Sequence, residues 1–191
     1  NDKESIYSVL LDLSTQYNYL ILYPNQDIFV QFINELYSRI SDFCFIAFNP
    51  LNATKYQDKM VQYDFCKKLG IPYPNVVLIN DEQNINKMLN LKFPIIVKPT
   101  ERDNYSHEIF RNILLNDKID YQKKIHVIKK LIIKGYRFIA SEVIPGNDSN
   151  IYAYTAYRAN NGKILGEWAG KKLSQFPNSF GVFASSSNEC P

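Results

Sequence analysis

Two apolar segments constrain this chain more than anything else in it. Phe93-Pro94-Ile95-Ile96-Val97-Lys98-Pro99 reads as a buried strand that ends on a lysine, and Phe138-Ile139-Ala140-Ser141-Glu142-Val143-Ile144 reads as a second strand that leaves through Pro145-Gly146-Asn147 into Asp148. A cation at the end of such a strand must be paired or must point into a polar cleft, because burying it alone is costly. A carboxylate just past a glycine turn can accept hydrogen bonds from two neighbouring hydroxyls. Strand, hinge, cation and acid in this order suit a cleft for a nucleoside triphosphate, with the lysine toward phosphate and the acid toward ribose.

The remaining pattern is mixed helix and strand. Ile6, Val9, Leu10 and Leu13 share one helical face, Leu20 to Tyr23 reads as a strand, and Pro24-Asn25-Gln26-Asp27 can cap a second helix carrying Ile28, Phe29, Phe32, Ile33, Leu36 and Ile40 on its apolar face. Phe43 to Phe48 is a second strand, so residues 1–50 read as the remnant of a Rossmann-like parallel layer with a right-handed crossover. Val61, Phe65 and Leu69 predict one helix over 54–69, closed by Gly70 and Pro72. Val76 to Ile79 is a strand, Asp81 can cap a helix carrying Ile85, Met88 and Leu89, and a polar stretch from Thr100 to Arg111 precedes a short strand at Asn112 to Leu115. A long helix from about Asp120 to Lys134 turns Ile125, Ile128 and Ile132 inward. Strands at Ile151 to Arg158 and Ile164 to Ala169, joined through Asn160-Asn161-Gly162, form a hairpin. The class is α+β.

Taken together, the segments from about Thr54 onward resemble the ATP-grasp family of ATP-dependent ligases. Within it they look most like the carbamoyl-phosphate-synthase-like branch, whose members carry Ile-Pro-Gly-x-Asp and then Gly-Arg-Lys-Leu-Arg-Gln-Tyr-Pro. Here these read Ile144-Pro145-Gly146-Asn147-Asp148 and Gly170-Lys171-Lys172-Leu173-Ser174-Gln175-Phe176-Pro177. The resemblance implies an ATP-grasp-like fold, in which 51–191 is the N-terminal part of the ATP-grasp domain, truncated before the metal-binding segment. It further implies that Lys59 and Lys98 contact the phosphates and that Ser141, Glu142, Val143 and Ile144 form the linker on which adenine lies. There the Glu142 carbonyl would accept from the exocyclic amine and the Ile144 N–H would donate to the ring. Asp148 would hold the ribose. Lys172, preferred to Lys171 because strand alternation lets one of them face the cleft, would be the catalytic cation at the terminal phosphate. The whole protein is then expected to use ATP and Mg²⁺ to phosphorylate a small-molecule carboxylate, and to let an amine attack the acyl phosphate. The chain, which reads as a fragment, is expected to be inactive alone. No metal ligand is assigned, since the family's acid and Glu-x-Asn segment are expected beyond Pro191 and neither Glu167 nor Glu189 matches them.

Each of these residues also has a plainer reading. Lys98 can snorkel at a strand end, Lys59 can be a solvated helix lysine, Asp148 can belong to an ordinary turn, and Lys171 and Lys172 can be surface lysines. The ordered series favours the cleft. The segment from Thr100 to His107 has no glycine where many ATP-grasp proteins carry a Gly- and Ser-rich phosphate loop, which keeps a non-catalytic nucleotide-binding or regulatory module as the alternative. Beyond both lies a plain interaction domain.

Composition excludes other classes. A net charge of +3 on a chain with 21% charged residues is too mild, and too evenly spread, for a nucleic-acid partner. No apolar run approaches the ~20 residues that span a bilayer, so no membrane association is expected. Cys44, Cys66 and Cys190 are odd in number and lack metal spacing, and no signal peptide is visible, so a reducing, cytoplasmic setting is expected. His107 and His126 lack the partners of a catalytic triad, and there is no Walker or dinucleotide fingerprint.

Overall fold

Asp2, Asp58, Asp81 and Asp117 each start a helix, their carboxylates accepting from backbone N–H groups two or three residues on at 2.7–2.8 Å. Each such bond satisfies a donor that the first helical turn leaves open. The structure, a computed structural model, describes residues 2–100, 109–176 and 181–188. The chain divides into two units, Asn1–Val143 and Ile144–Pro191.

The first unit begins with α1 (Lys3–Gln16), β1 (Leu20–Leu22), α2 (Asp27–Ile40) and β2 (Cys44–Ile46). β1 and β2 pair in parallel, Leu20 opposite Cys44 and Leu22 opposite Ile46, across the expected helical crossover. Leu10, Ile33, Leu36, Ile40 and Cys44 form their core. Val9 departs from the expected face, at 59% exposed. Ion pairs between α1 and α2, Lys3 with Glu35 and Arg39 with Glu4, lie at the surface, where such pairs contribute little.

The helix expected over 54–69 is two helices, α3 (Pro50–Gln57) and α4 (Lys59–Leu69). Asp58 between them is extended, and its side chain takes the Met60 N–H, so the break is a cap inserted in an otherwise helical pattern. Gly70 ends α4 with φ +67°, a conformation open to glycine at little cost, and Leu69 is exposed rather than inward.

β3 (Val76–Ile79), β4 (Ile95–Pro99), β5 (Ile113–Leu115) and β6 (Phe138–Glu142) form a sheet in the order β3-β6-β4-β5, every neighbour antiparallel. α5 (Glu82–Ile85), which runs into a 3-10 turn at Asn86–Asn90, and α6 (Lys118–Ile133) pack on one face. Ile79, Ile95, Val97, Leu115, Phe138 and Ala140 from the sheet meet Ile85, Met88, Ile128, Leu131 and Ile132 from the helices. Phe138 is fully buried and stacks on Phe110 with ring centroids 5.1 Å apart, so Phe138→Ala is expected to cost about 3–5 kcal/mol.

In the second unit a 3-10 turn (Asp148–Asn150) leads into the antiparallel sheet of β7 (Tyr152–Arg158), β8 (Ile164–Phe176) and β9 (Val182–Ser187). The hairpin closes at the predicted turn, with Ala159 N–H donating to Lys163 O at 2.8 Å and Gly162 at φ +83°. β8 runs on to Phe176, past the expected end at Ala169. At Gly170 a Cβ would stand 2.2 Å from the Trp168 ring and 2.7 Å from Ser187 O, so only glycine fits.

No helix of the described residues is long and apolar enough to cross a membrane. Glu101 to Glu108, which include His107, lie outside the described residues, as do Pro177, Glu189 and Cys190.

Candidate functional site

Strand alternation decides where Lys98 points. Ile95 and Val97 are in the core beneath β4, so Ile96 and Lys98 lie on the opposite face, paired across β6 with Ser141 and Ile139. Lys98 is half-buried and has no hydrogen-bond or ion-pair partner among the described residues. Burial pushes its ammonium below the ordinary lysine range, and the like charge of Arg111 adds in the same direction. Lys59 opens α4 and docks on the end of the same strand. Its backbone N–H donates to Thr100 O at 3.2 Å, and its Nζ donates to Pro99 O at 3.0 Å and Thr100 O at 3.3 Å. The structure thus brings Lys59 to the two residues that follow Lys98. Arg137 joins the same corner: its carbonyl accepts from Thr100 N–H at 3.0 Å, and its guanidinium lies 3.8 Å from the Asp58 carboxylate.

Neither Arg111 nor Arg137 was singled out from the sequence. The available signal was weak: Arg111 lies two residues before a strand, and Arg137 directly before one.

The linker residues leave β6 under restraint. Ser141, 4% exposed, shares a hydrogen bond with the Tyr63 hydroxyl of α4, whose pKa burial raises. Glu142 N–H donates to Asn75 O at 3.1 Å, and its carboxylate accepts from Asn75 Nδ2 at 3.1 Å and from Lys92 N–H at 2.8 Å. Val143 N–H donates to Pro94 O at 2.9 Å. The Glu142 side chain is therefore occupied within the protein. Ile144, the first residue of the second unit, has an N–H with no acceptor among the described residues.

The second unit holds Asp148 and Lys172, and Gln175 connects them. Gln175 Nε2 donates to Asp148 Oδ2, while Gln175 Oε1 accepts from Lys172 Nζ and from the Gly181 N–H at 3.0 Å. Lys172 is 4% exposed, with its Nζ 5.5 Å from the centre of the Phe183 ring and its N–H donating to Ile151 O at 2.8 Å. Lys171, opposite Tyr152 and Ser187, is less buried. Residues 172 and 175 would face opposite sides of a regular strand. Here the ladder slips twice, with Lys172 opposite Ser186, Ser174 opposite Ser185 and Gln175 opposite Phe183, which turns both side chains to one side.

The predicted residues thus fall in both units: Lys59, Lys98, Ser141, Glu142 and Val143 in the first, Ile144, Asp148 and Lys172 in the second. Among the described residues no group of three or more His, Cys, Asp or Glu side chains could hold a metal ion. Cys44 is buried and free, with its thiol pushed up by burial, and Cys66 is half-buried and free.

No family model matches the chain. Over 127 residues the chain is 26% identical to a D-aspartate ligase of Enterococcus faecium (strain Aus0004), covering 63% of this chain and 30% of that protein, so it spans under a third of that relative's length. Among solved structures it is similar to N5-carboxyaminoimidazole synthetase from Staphylococcus aureus complexed with ADP, with a TM-score of 0.62 at 18% identity, over 92% of this chain and 42% of the other. N5-carboxyaminoimidazole ribonucleotide synthetase from Thermus thermophilus gives a TM-score of 0.63 at 14% identity, over 89% and 42%. These structural neighbours are ATP-grasp ligases. Their likeness, spread over nearly the whole chain but under half of theirs, shows that this chain has the ATP-grasp fold, with a Rossmann-like layer at its N-terminus.

Proposed function

We propose that this chain is the ATP-binding part of an ATP-dependent ligase that activates a small-molecule carboxylate as an acyl phosphate. One observation carries the proposal: Lys98 is half-buried with no anion beside it among the described residues, next to Lys59 and facing the charge of Arg111. A fold that gathers like charges at partial desolvation, with no described acid to offset Lys98, is arranged for an anionic ligand. Structures of this fold in complex with ADP support a nucleotide as that anion.

In this reading Lys59 and Lys98 hold the phosphates. The backbone from Ser141 to Ile144 reads adenine, which accords with a Glu142 side chain already engaged and an Ile144 N–H that has no acceptor among the described residues. Asp148 accepts from the ribose hydroxyls. Lys172 neutralises the terminal phosphate while a carboxylate oxygen bonds to its phosphorus and the bond to the ADP oxygen breaks. An amine then adds to the acyl carbon and inorganic phosphate leaves. Among the described residues no group of three or more acids, histidines or cysteines could hold Mg²⁺. The D-aspartate ligase relative makes an amino-acid carboxylate the first acceptor to try. The Ile-Pro-Gly-x-Asp and Gly-Lys-Lys-Leu segments favour the carbamoyl-phosphate-synthase-like branch, and a cytoplasmic setting suits such chemistry.

The test is ATP titration of the chain by calorimetry. Lys98→Ala is expected to weaken binding by about 1–3 kcal/mol, the range for losing a charged hydrogen-bond partner. Asp148→Ala is expected to narrow the preference for ATP over 2′-deoxyATP. Unchanged constants for both variants would overturn the reading. The glycine-free segment 100–107 favours a second reading, a non-catalytic nucleotide-binding or regulatory module. ADP release by the full-length protein given ATP and D-aspartate decides between them.

A further inference from the structure

We propose that Gln175 is a positioning residue that holds Asp148 and Lys172 apart and ready, so that the carboxylate stays available to ribose and the ammonium to phosphate. The proposal rests on the nucleotide-binding reading above and extends it to a residue that neither the sequence nor the comparisons assign.

Gln175 Oε1 faces two donors, Lys172 Nζ and the Gly181 N–H, while its Nε2 faces the Asp148 carboxylate. Turning the amide over would set its NH₂ against an ammonium and a backbone N–H, and its oxygen against a carboxylate. One orientation alone satisfies all three contacts, so the side chain is locked by its neighbours.

The consequence concerns the two charges. Asp148 and Lys172 make no ion pair with each other among the described contacts, although both reach the same amide. An exposed carboxylate brought onto the buried ammonium of Lys172 would pair with it and leave neither for a ligand. A neutral amide between them satisfies one lone pair of Asp148 and one donor of Lys172, and it neutralises neither. Asp148 Oδ1 is left without a donor among the described residues, open to the ribose hydroxyls. The double slip in the β8–β9 ladder is what delivers Gln175 to this place. A regular strand would turn its side chain away from Lys172.

The experiment measures dissociation constants of the chain for ATP, 2′-deoxyATP and adenosine in the parent, Asp148→Ala, Gln175→Leu, Gln175→Glu and the double variant Asp148→Ala with Gln175→Leu, with urea unfolding as a check on folding. Gln175→Leu is expected to weaken ATP binding about ten-fold and to reduce the ATP to 2′-deoxyATP ratio toward that of Asp148→Ala. The double variant should then lose no more of that ratio than Asp148→Ala alone, the signature of one residue acting through another. Gln175→Glu pairs with Lys172 and sets a carboxylate against Asp148, so it should weaken ATP about ten-fold and adenosine by less. That second variant stands as the test if Gln175→Leu does not fold. Normal ATP response in the parent and Asp148→Ala, with an unchanged ratio in Gln175→Leu and unchanged ATP binding in Gln175→Glu, overturns the role of Gln175 alone. A parent chain that binds no ATP overturns the nucleotide reading and this role with it.

Discussion

An ammonium taken partly out of water is less stable than the same group in solvent, and Lys98 is in that position on β4, with no anion beside it among the described residues. The sign of the pH effect follows. With the folded pKa below the ordinary lysine value, the folded chain binds fewer protons than the unfolded one between those two values, so stability rises with pH across that window and is lost as pH falls through the folded pKa. Lys98→Met should flatten this rise, which urea denaturation at a series of pH values would measure. A profile identical to the parent's would show that Lys98 is fully hydrated. Binding of a polyanion acts the other way, because it favours the charged form and so weakens as pH rises. The apolar strand ending on Lys98 was legible because its chemistry is local, whereas Arg111 was not, since its nearness to Lys98 comes from the pairing of β4 with β5.

Asp58 and Asp117 cap α4 and α6 with comparable geometry, so Asp58→Ala and Asp117→Ala should each cost about 1 kcal/mol in urea unfolding. Their effects on ligand should differ. Asp58 fixes the start of the helix whose first residue is Lys59, so its loss should also weaken ATP, while Asp117→Ala should leave ATP affinity intact. Equal effects of the two on ATP would mean that the position of Lys59 does not depend on its helix cap. Asp81 was readable as a cap from its place before an apolar periodicity. Asp58 was not, because the periodicity of Val61 and Phe65 runs on from the preceding turn and hides the break.

The two units differ in what holds them. Among the described residues both hydrophobic core clusters lie within Asn1–Val143. In Ile144–Pro191 the apolar side chains Ile144, Tyr154, Leu165, Leu173 and Phe176 are exposed, and Lys172 is among the few buried residues of those described. A sheet without a buried apolar face is marginal in water. Residues 1–143 expressed alone should therefore unfold cooperatively, and residues 144–191 alone should show no cooperative transition in circular dichroism. A sharp transition for the second piece would show that the ladder of β7, β8 and β9 suffices by itself. The amino-acid sequence determined most of the strands, the helix start at Asp81 and the turn at Gly162, because those depend on neighbours a few positions away. Only the tertiary structure decided the antiparallel order β3-β6-β4-β5, the approach of Lys59 to the end of β4 and the seat of Gln175 between Asp148 and Lys172. Each of these hangs on strand pairing or on a register slip, where a shift of one residue turns a side chain to the opposite face.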